Sequence, residues 1–215
     1  MMTTNKLTKT FASGSLAIGV LAGAVLTATS ASAMIMTTWG EFKTSSLEEG
    51  DKRVTYQSGG DIISDSTMVA FGNLGGGEYQ FSVMGMIDAA TSFTYTIDIL
   101  PAFPDNYFTG VQLDSDVNVN SPSGYGRVEK TFAEIPTLTL ISINGDPDPF
   151  ATFSPITGNL RTLTVTDTLI PNPGGVLTSL SNKFIQGTKV PEPGTILGLL
   201  AVGGLGLVSR FGKQK

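Results

Sequence analysis

Apolar and polar residues alternate with period two along much of this chain. Tyr79, Phe81, Val83, Gly85 and Ile87 alternate with Gln80, Ser82, Met84 and Met86. Phe93, Tyr95, Ile97 and Ile99 alternate with Thr94, Thr96 and Asp98. Val111, Leu113, Ser115, Val117 and Val119 alternate with Gln112, Asp114, Asp116, Asn118 and Asn120. Such a pattern turns one face of a strand to a core and the other to solvent. Further strands are predicted at 53–57, 67–71, 127–134, 137–143 and 160–169. The last has Leu163, Val165 and Leu169 on one side and Thr162, Thr164, Thr166 and Thr168 on the other. Glycine and proline punctuate the intervals, at Gly59-Gly60, Gly75-Gly76-Gly77, Pro101 to Pro104, Pro122 to Gly124, Asn144 to Pro147 and Pro171 to Gly175. Many short strands, such turns and no long amphipathic helix predict an all-β fold. The expectation is a single antiparallel β-sandwich or jelly-roll domain over residues 34–189.

The two ends break this pattern. Lys6 and Lys9 precede an apolar stretch from Phe11 to Ala28, and Ala31-Ser32-Ala33 follows it. A basic start, an apolar middle and small residues at the cut describe a helical signal peptide over 1–33, with signal peptidase acting after Ala33 at the Ala31/Ala33 pair. At the other end, Ile196 to Val208 is apolar but shorter than the roughly 20 residues a spanning helix usually needs, so taken alone it also suits a buried helix. Its flanks favour the membrane. Pro191 and Pro193 stop the helix from extending backwards, Thr195 suits an N-cap, and Arg210, Lys213 and Lys215 form a basic stop. The expectation is a single transmembrane helix over 195–209 and a basic tail over 210–215.

The ordered set Pro191-Glu192-Pro193, apolar helix, then Arg210 to Lys215 resembles a PEP-CTERM sorting domain, the exosortase-recognised tail of exported proteins in Gram-negative bacteria, including cyanobacteria. The resemblance covers residues 190–215 and is silent on the domain before them. It implies that a membrane-embedded exosortase cuts at or near Pro191-Glu192-Pro193. The processed protein is then released or attached at the cell surface, commonly in bacteria that make extracellular polysaccharide. In this chain the three motif residues are recognition elements of a substrate, since the catalytic residues belong to the exosortase.

Composition then excludes several activities. The chain has no cysteine and no histidine, so disulfides, Ser-His-Asp or Cys-His catalysis and ordinary zinc sites are ruled out. Carboxylate chemistry and oxygen-ligated calcium survive this filter. Without the two processed ends, eight cations face seventeen carboxylates, a net charge of −9 that disfavours nucleic-acid binding. No cofactor is expected, with calcium the one admissible ion. Asn144, Asp146 and Asp148 are expected to place two carboxylates and an amide in one turn, suited either to weak calcium binding or to a solvated turn between strands. Asp114, Asp116, Asn118 and Asn120 form a polar ladder, suited to a cation, to sugar hydroxyls or simply to the wet side of a strand. Trp39, Phe42, Tyr56, Tyr107, Phe108, Tyr125 and Phe150 suit a core, or a sugar-stacking face where Tyr107, Phe108 and Tyr125 neighbour loops.

The leading expectation is therefore a non-enzymatic exported domain, held in the membrane for a time by its C-terminal helix and then placed at the cell surface or in extracellular matrix. Its partners would be signal peptidase and exosortase during maturation and extracellular polysaccharide afterwards. The alternatives are an adhesive carbohydrate- or calcium-binding module and a carboxylate-dependent polysaccharide hydrolase.

Overall fold

The structure, a computed structural model, describes residues 34–118, 124–148 and 152–189. The expected signal peptide (1–33) and the expected sorting tail (190–215) lie outside these, as do Asn120 and Phe150. Among the described residues no helix is long and apolar enough to cross a membrane.

Within the described residues the alternating segments become strands. In chain order they are β1 (Met34–Thr38), β2 (Leu47–Glu49), β3 (Lys52–Gly59), β4 (Met68–Gly75), β5 (Glu78–Ile87), β6 (Thr91–Ile99) and β7 (Asn106–Asn118). They continue with β8 (Gly126–Phe132), β9 (Thr139–Ile143), β10 (Asp146–Asp148), β11 (Ser154–Pro155), β12 (Thr162–Pro171) and β13 (Val176–Thr188). One short helix, α1 (Trp39–Phe42), follows β1. Thr38 caps it reciprocally with Glu41: the Glu41 N–H donates to Thr38 Oγ1 at 3.3 Å, and the Thr38 N–H donates to Glu41 Oε2 at 3.2 Å. That box turns Trp39 and Phe42 into the core.

The strands form two antiparallel sheets. One runs β1-β4-β5-β13-β7-β11 and the other β10-β9-β8-β12-β6-β3-β2. Their inner faces meet, as Phe81 on β5 and Tyr95 on β6 show with ring centroids 4.5 Å apart. The result is a two-sheet β-sandwich. The inward rows match the sequence pattern: Tyr79, Phe81, Val83 and Ile87; Phe93, Tyr95, Ile97 and Ile99; Val111 and Leu113; Leu163, Val165 and Leu169 are all buried.

Hairpins fall where backbone chemistry asks for them. Gly75, Gly76 and Gly77 all have positive φ and join β4 to β5, while Asn144 (φ 53°) and Gly145 (φ 89°) make the two-residue turn from β9 to β10. Gly59 ends β3 at φ +84°, where an added Cβ would overlap the Ser92 carbonyl oxygen. Gly59→Ala is expected to destabilise the domain by more than about 1 kcal/mol, read as a lower urea midpoint at unchanged slope.

The pattern alone does not announce β13, although it is central to its sheet between β5 and β7. Two causes combine. A bulge between Leu177 and Ser179 shifts the inward series from Leu177 to Leu180, which breaks period two. The next inward place is then polar, Asn182, fully buried between Leu180 and Phe184. β7 also begins five residues earlier than the alternation suggests, because Asn106 to Phe108 pair with Gln186 to Thr188 on β13.

Candidate functional site

Asn144, Asp146 and Asp148 do not share one turn. Only Asn144 sits in it, and Asp146 to Asp148 form β10, in register with Ile141 to Ile143 on β9. Asn144 Oδ1 accepts the Gly126 N–H at 3.1 Å, so its ligand oxygen is engaged. The open groove beside it, about 310 Å³, is lined by Gly126, Arg127, Ile143, Asn144, Ile170 and Asn172. Arg127 places a guanidinium there, 3.0 Å from Glu129 Oε1, and a fixed cation disfavours a second one. Among the described residues no group of three or more acidic side chains is placed to hold a metal ion. Of the polar ladder, Asp114 is half-buried and accepts the Ser115 N–H at 2.9 Å.

A sugar-stacking face at Phe108 and Tyr125 is not what the fold builds. Both rings are fully buried, along with Trp39, and Phe42 is nearly so. Tyr125 precedes β8 in a loop, yet its ring turns inward because β-sandwich loops close over the core ends, where a large apolar ring gains most from burial. Tyr107 is half-buried and Tyr56 packs edge-on against Trp39 at 5.9 Å.

The chemically unusual places lie inside the sandwich, where two lysines are fully buried. Lys52 on β3 donates to Asp51 Oδ1 at 2.6 Å and to Gln186 Oε1 on β13, with Nζ 4.5 Å from the centre of the Tyr79 ring. Asp51 Oδ2 accepts from Asn106 Nδ2 at 2.7 Å. Burial pulls the Lys52 ammonium down to about 8, against the pull of Asp51. Burial also works against the Asp51 charge, but hydrogen bonds from Lys52, Tyr79 and Asn106 outweigh it and hold the carboxyl below its ordinary value. This is a buried, well-paired ion pair tying the β3 start to β7 and β13.

Lys130 is different. It lies on β8 directly opposite Asp167 on β12, both facing the core. From the other sheet, Asn182 on β13 reaches across and donates Nδ2–H to Asp167 Oδ2 at 2.5 Å. Lys130 Nζ donates to the Gln112 carbonyl at 3.3 Å and lies 4.3 Å above the Phe184 ring, with Phe132 on its other flank. Burial drives the Lys130 ammonium down and the Asp167 carboxyl up, each opposed by the other's charge, so both are shifted toward their neutral forms relative to a solvated side chain. Asp167 Oδ1 and Asn182 Oδ1 have no hydrogen-bond partner. The Tyr95 hydroxyl approaches Asn182 without completing a bond of ordinary geometry. These residues escape a reading that seeks surface ligands, yet the signal exists: Val128-Lys130-Phe132, Val165-Asp167-Leu169 and Leu180-Asn182-Phe184 are three inward rows, each with one polar intruder.

At the far end of the fold, β13 finishes at Thr188, whose Oγ1 donates to Asn106 Oδ1 at 2.9 Å, and the Lys189 N–H donates to the Asp105 carbonyl at 2.8 Å. The packed domain is thus tied down up to Lys189. A family model described as the PEP-CTERM protein-sorting motif matches residues 189–213, starting at that same residue. The chain carries a PEP-CTERM sorting motif. This PEP-CTERM match supports an exported protein, sorted by an exosortase to the cell surface or beyond it. No curated protein and no solved structure matches the chain.

Proposed function

We propose that the β-sandwich is the non-catalytic cargo of an exosortase pathway, delivered to the cell surface or extracellular matrix after the tail is cut near Pro191-Glu192-Pro193. The observation that carries this is the PEP-CTERM match at 189–213, which begins at Lys189, whose N–H donates to the Asp105 carbonyl of the sandwich. Proline fixes φ and lacks a backbone N–H, so a Pro-Glu-Pro sequence is disfavoured in regular helix or sheet pairing, which suits a site that a protease must grip. The apolar run behind it serves as a temporary tether, with Arg210, Lys213 and Lys215 on the cytoplasmic side. The absence of histidine and cysteine from the whole sequence supports a structural role over an enzymatic one.

The test is replacement of Pro191, Glu192 and Pro193 by alanine in the native host, followed by fractionation and intact mass. The expected product is an unprocessed precursor that stays with the membrane fraction. Normal maturation of the altered chain would sink the proposal.

A further inference from the structure

We propose that Lys130 and Asn182 become joined by a self-formed amide bond that links the two sheets, with Asp167 transferring the protons. The placement is set by backbone register. Lys130 and Asp167 are cross-strand partners on β8 and β12. Asn182 projects from the opposite sheet and already touches Asp167 through Nδ2. The amine is brought to that row twice over: it contacts the carbonyl of Gln112, whose neighbour Leu113 is the register partner of Asn182, and it sits above Phe184, two residues along the same face of β13. All three side chains are sealed from solvent by aromatic and aliphatic neighbours.

Such a site is poorly explained as plain packing. An amine, a carboxyl and an amide are buried together, with an unpartnered oxygen on Asp167 and another on Asn182, and buried polar atoms are normally satisfied. Lys52 provides the contrast within the same molecule: its carboxylate binds the amine directly, at 2.6 Å. At Lys130 the carboxyl instead grips the amide, and low polarity favours the neutral amine, which is the nucleophilic form.

The chemistry balances without any added reagent. The Nζ lone pair attacks Cγ of Asn182 and forms the Nζ–Cγ bond. Asp167 takes a proton from Nζ and delivers one to Nδ2, which its Oδ2 already contacts. The Cγ–Nδ2 bond then breaks and ammonia leaves. Asp167 ends as it began, and the two buried groups become one secondary amide. Holding the partners in place in a dry core supplies the effective concentration that makes amide aminolysis feasible. This step is independent of tail processing.

The experiment is protease digestion and mass spectrometry of the folded full-length chain, with Asp167→Asn and Lys130→Arg alongside. The expected result for the natural chain is one peptide containing both Lys130 and Asn182, lighter than the sum of the separate peptides by one ammonia. Separate, unmodified Lys130 and Asn182 peptides from folded protein overturn the proposal, and so does Asn182 recovered as aspartate beside a free Lys130. Both variants are expected to give separate peptides. Joining in Asp167→Asn to the natural extent would overturn the role given to Asp167. The natural chain decides the bond itself even where a variant does not fold.

Discussion

Trp39→Ala is expected to cost about 3 to 5 kcal/mol of folding stability, the range for deleting a large buried ring. That corresponds to a midpoint lowered by about 6 to 20 °C for a domain of this size. The ring is fully buried and makes three aromatic contacts: Phe93 at 5.1 Å, Phe42 at 5.8 Å and Tyr56 at 5.9 Å. It also fixes a segment that little else would hold, because α1 is only four residues long and gains its helical form from the Thr38–Glu41 box. Trp39 Nε1 has no partner, so Trp39→Phe removes a buried N–H along with some volume and is expected to lose much less. Equilibrium unfolding in urea measures both. Equal losses in the two variants would show that the ring's bulk is not what holds α1 in place.

Lys52→Met is expected to cost a similar amount, about 3 to 5 kcal/mol at pH 7, because it strands the buried Asp51 carboxylate without its counter-charge. The double change Lys52→Met with Asp51→Asn is expected to recover a large part, since the stranded charge is then gone. The pH dependence distinguishes this from lost packing. Lys52 has a folded value of about 8 against an ordinary 10.5, so between those values the unfolded chain holds the proton that the folded one has released. More protons on the unfolded side means that stability rises with pH across that window. The natural chain should therefore gain about 2 kcal/mol from this group between pH 8 and pH 10, a gain absent from Lys52→Met. Parallel stability curves for the two proteins would refute the assignment.

Trp39 and Lys130 show where a linear pattern stops informing. Trp39 and Phe42 stand outside any alternating run, so the sequence marks them as aromatic without saying which way they face. Their burial follows from a capping box and from β1 pairing with β4, a contact between segments about thirty residues apart. Lys130 does sit in an alternating run, at an inward place between Val128 and Phe132. A lysine there is legible as an anomaly, but its meaning depends on Asp167 and Asn182, which distant strands supply. The acidic hairpin after β9 shows the opposite case. Asn144-Gly145 specified the turn correctly, while the nearby aspartates invited a ligand reading that β10 pairing does not favour.

Local chemistry along the chain was enough to establish the strands with clean alternation, the glycine and asparagine turns, the exclusion of His and Cys chemistry, and the sorting tail, because each depends on neighbours a few residues away. Which strands share a sheet, where β13 lies, and the meeting of Lys130, Asp167 and Asn182 were decided by the packed structure. A bulge and a buried polar residue erase period two in β13, and residues 130, 167 and 182 become neighbours only when two sheets close over a common interior.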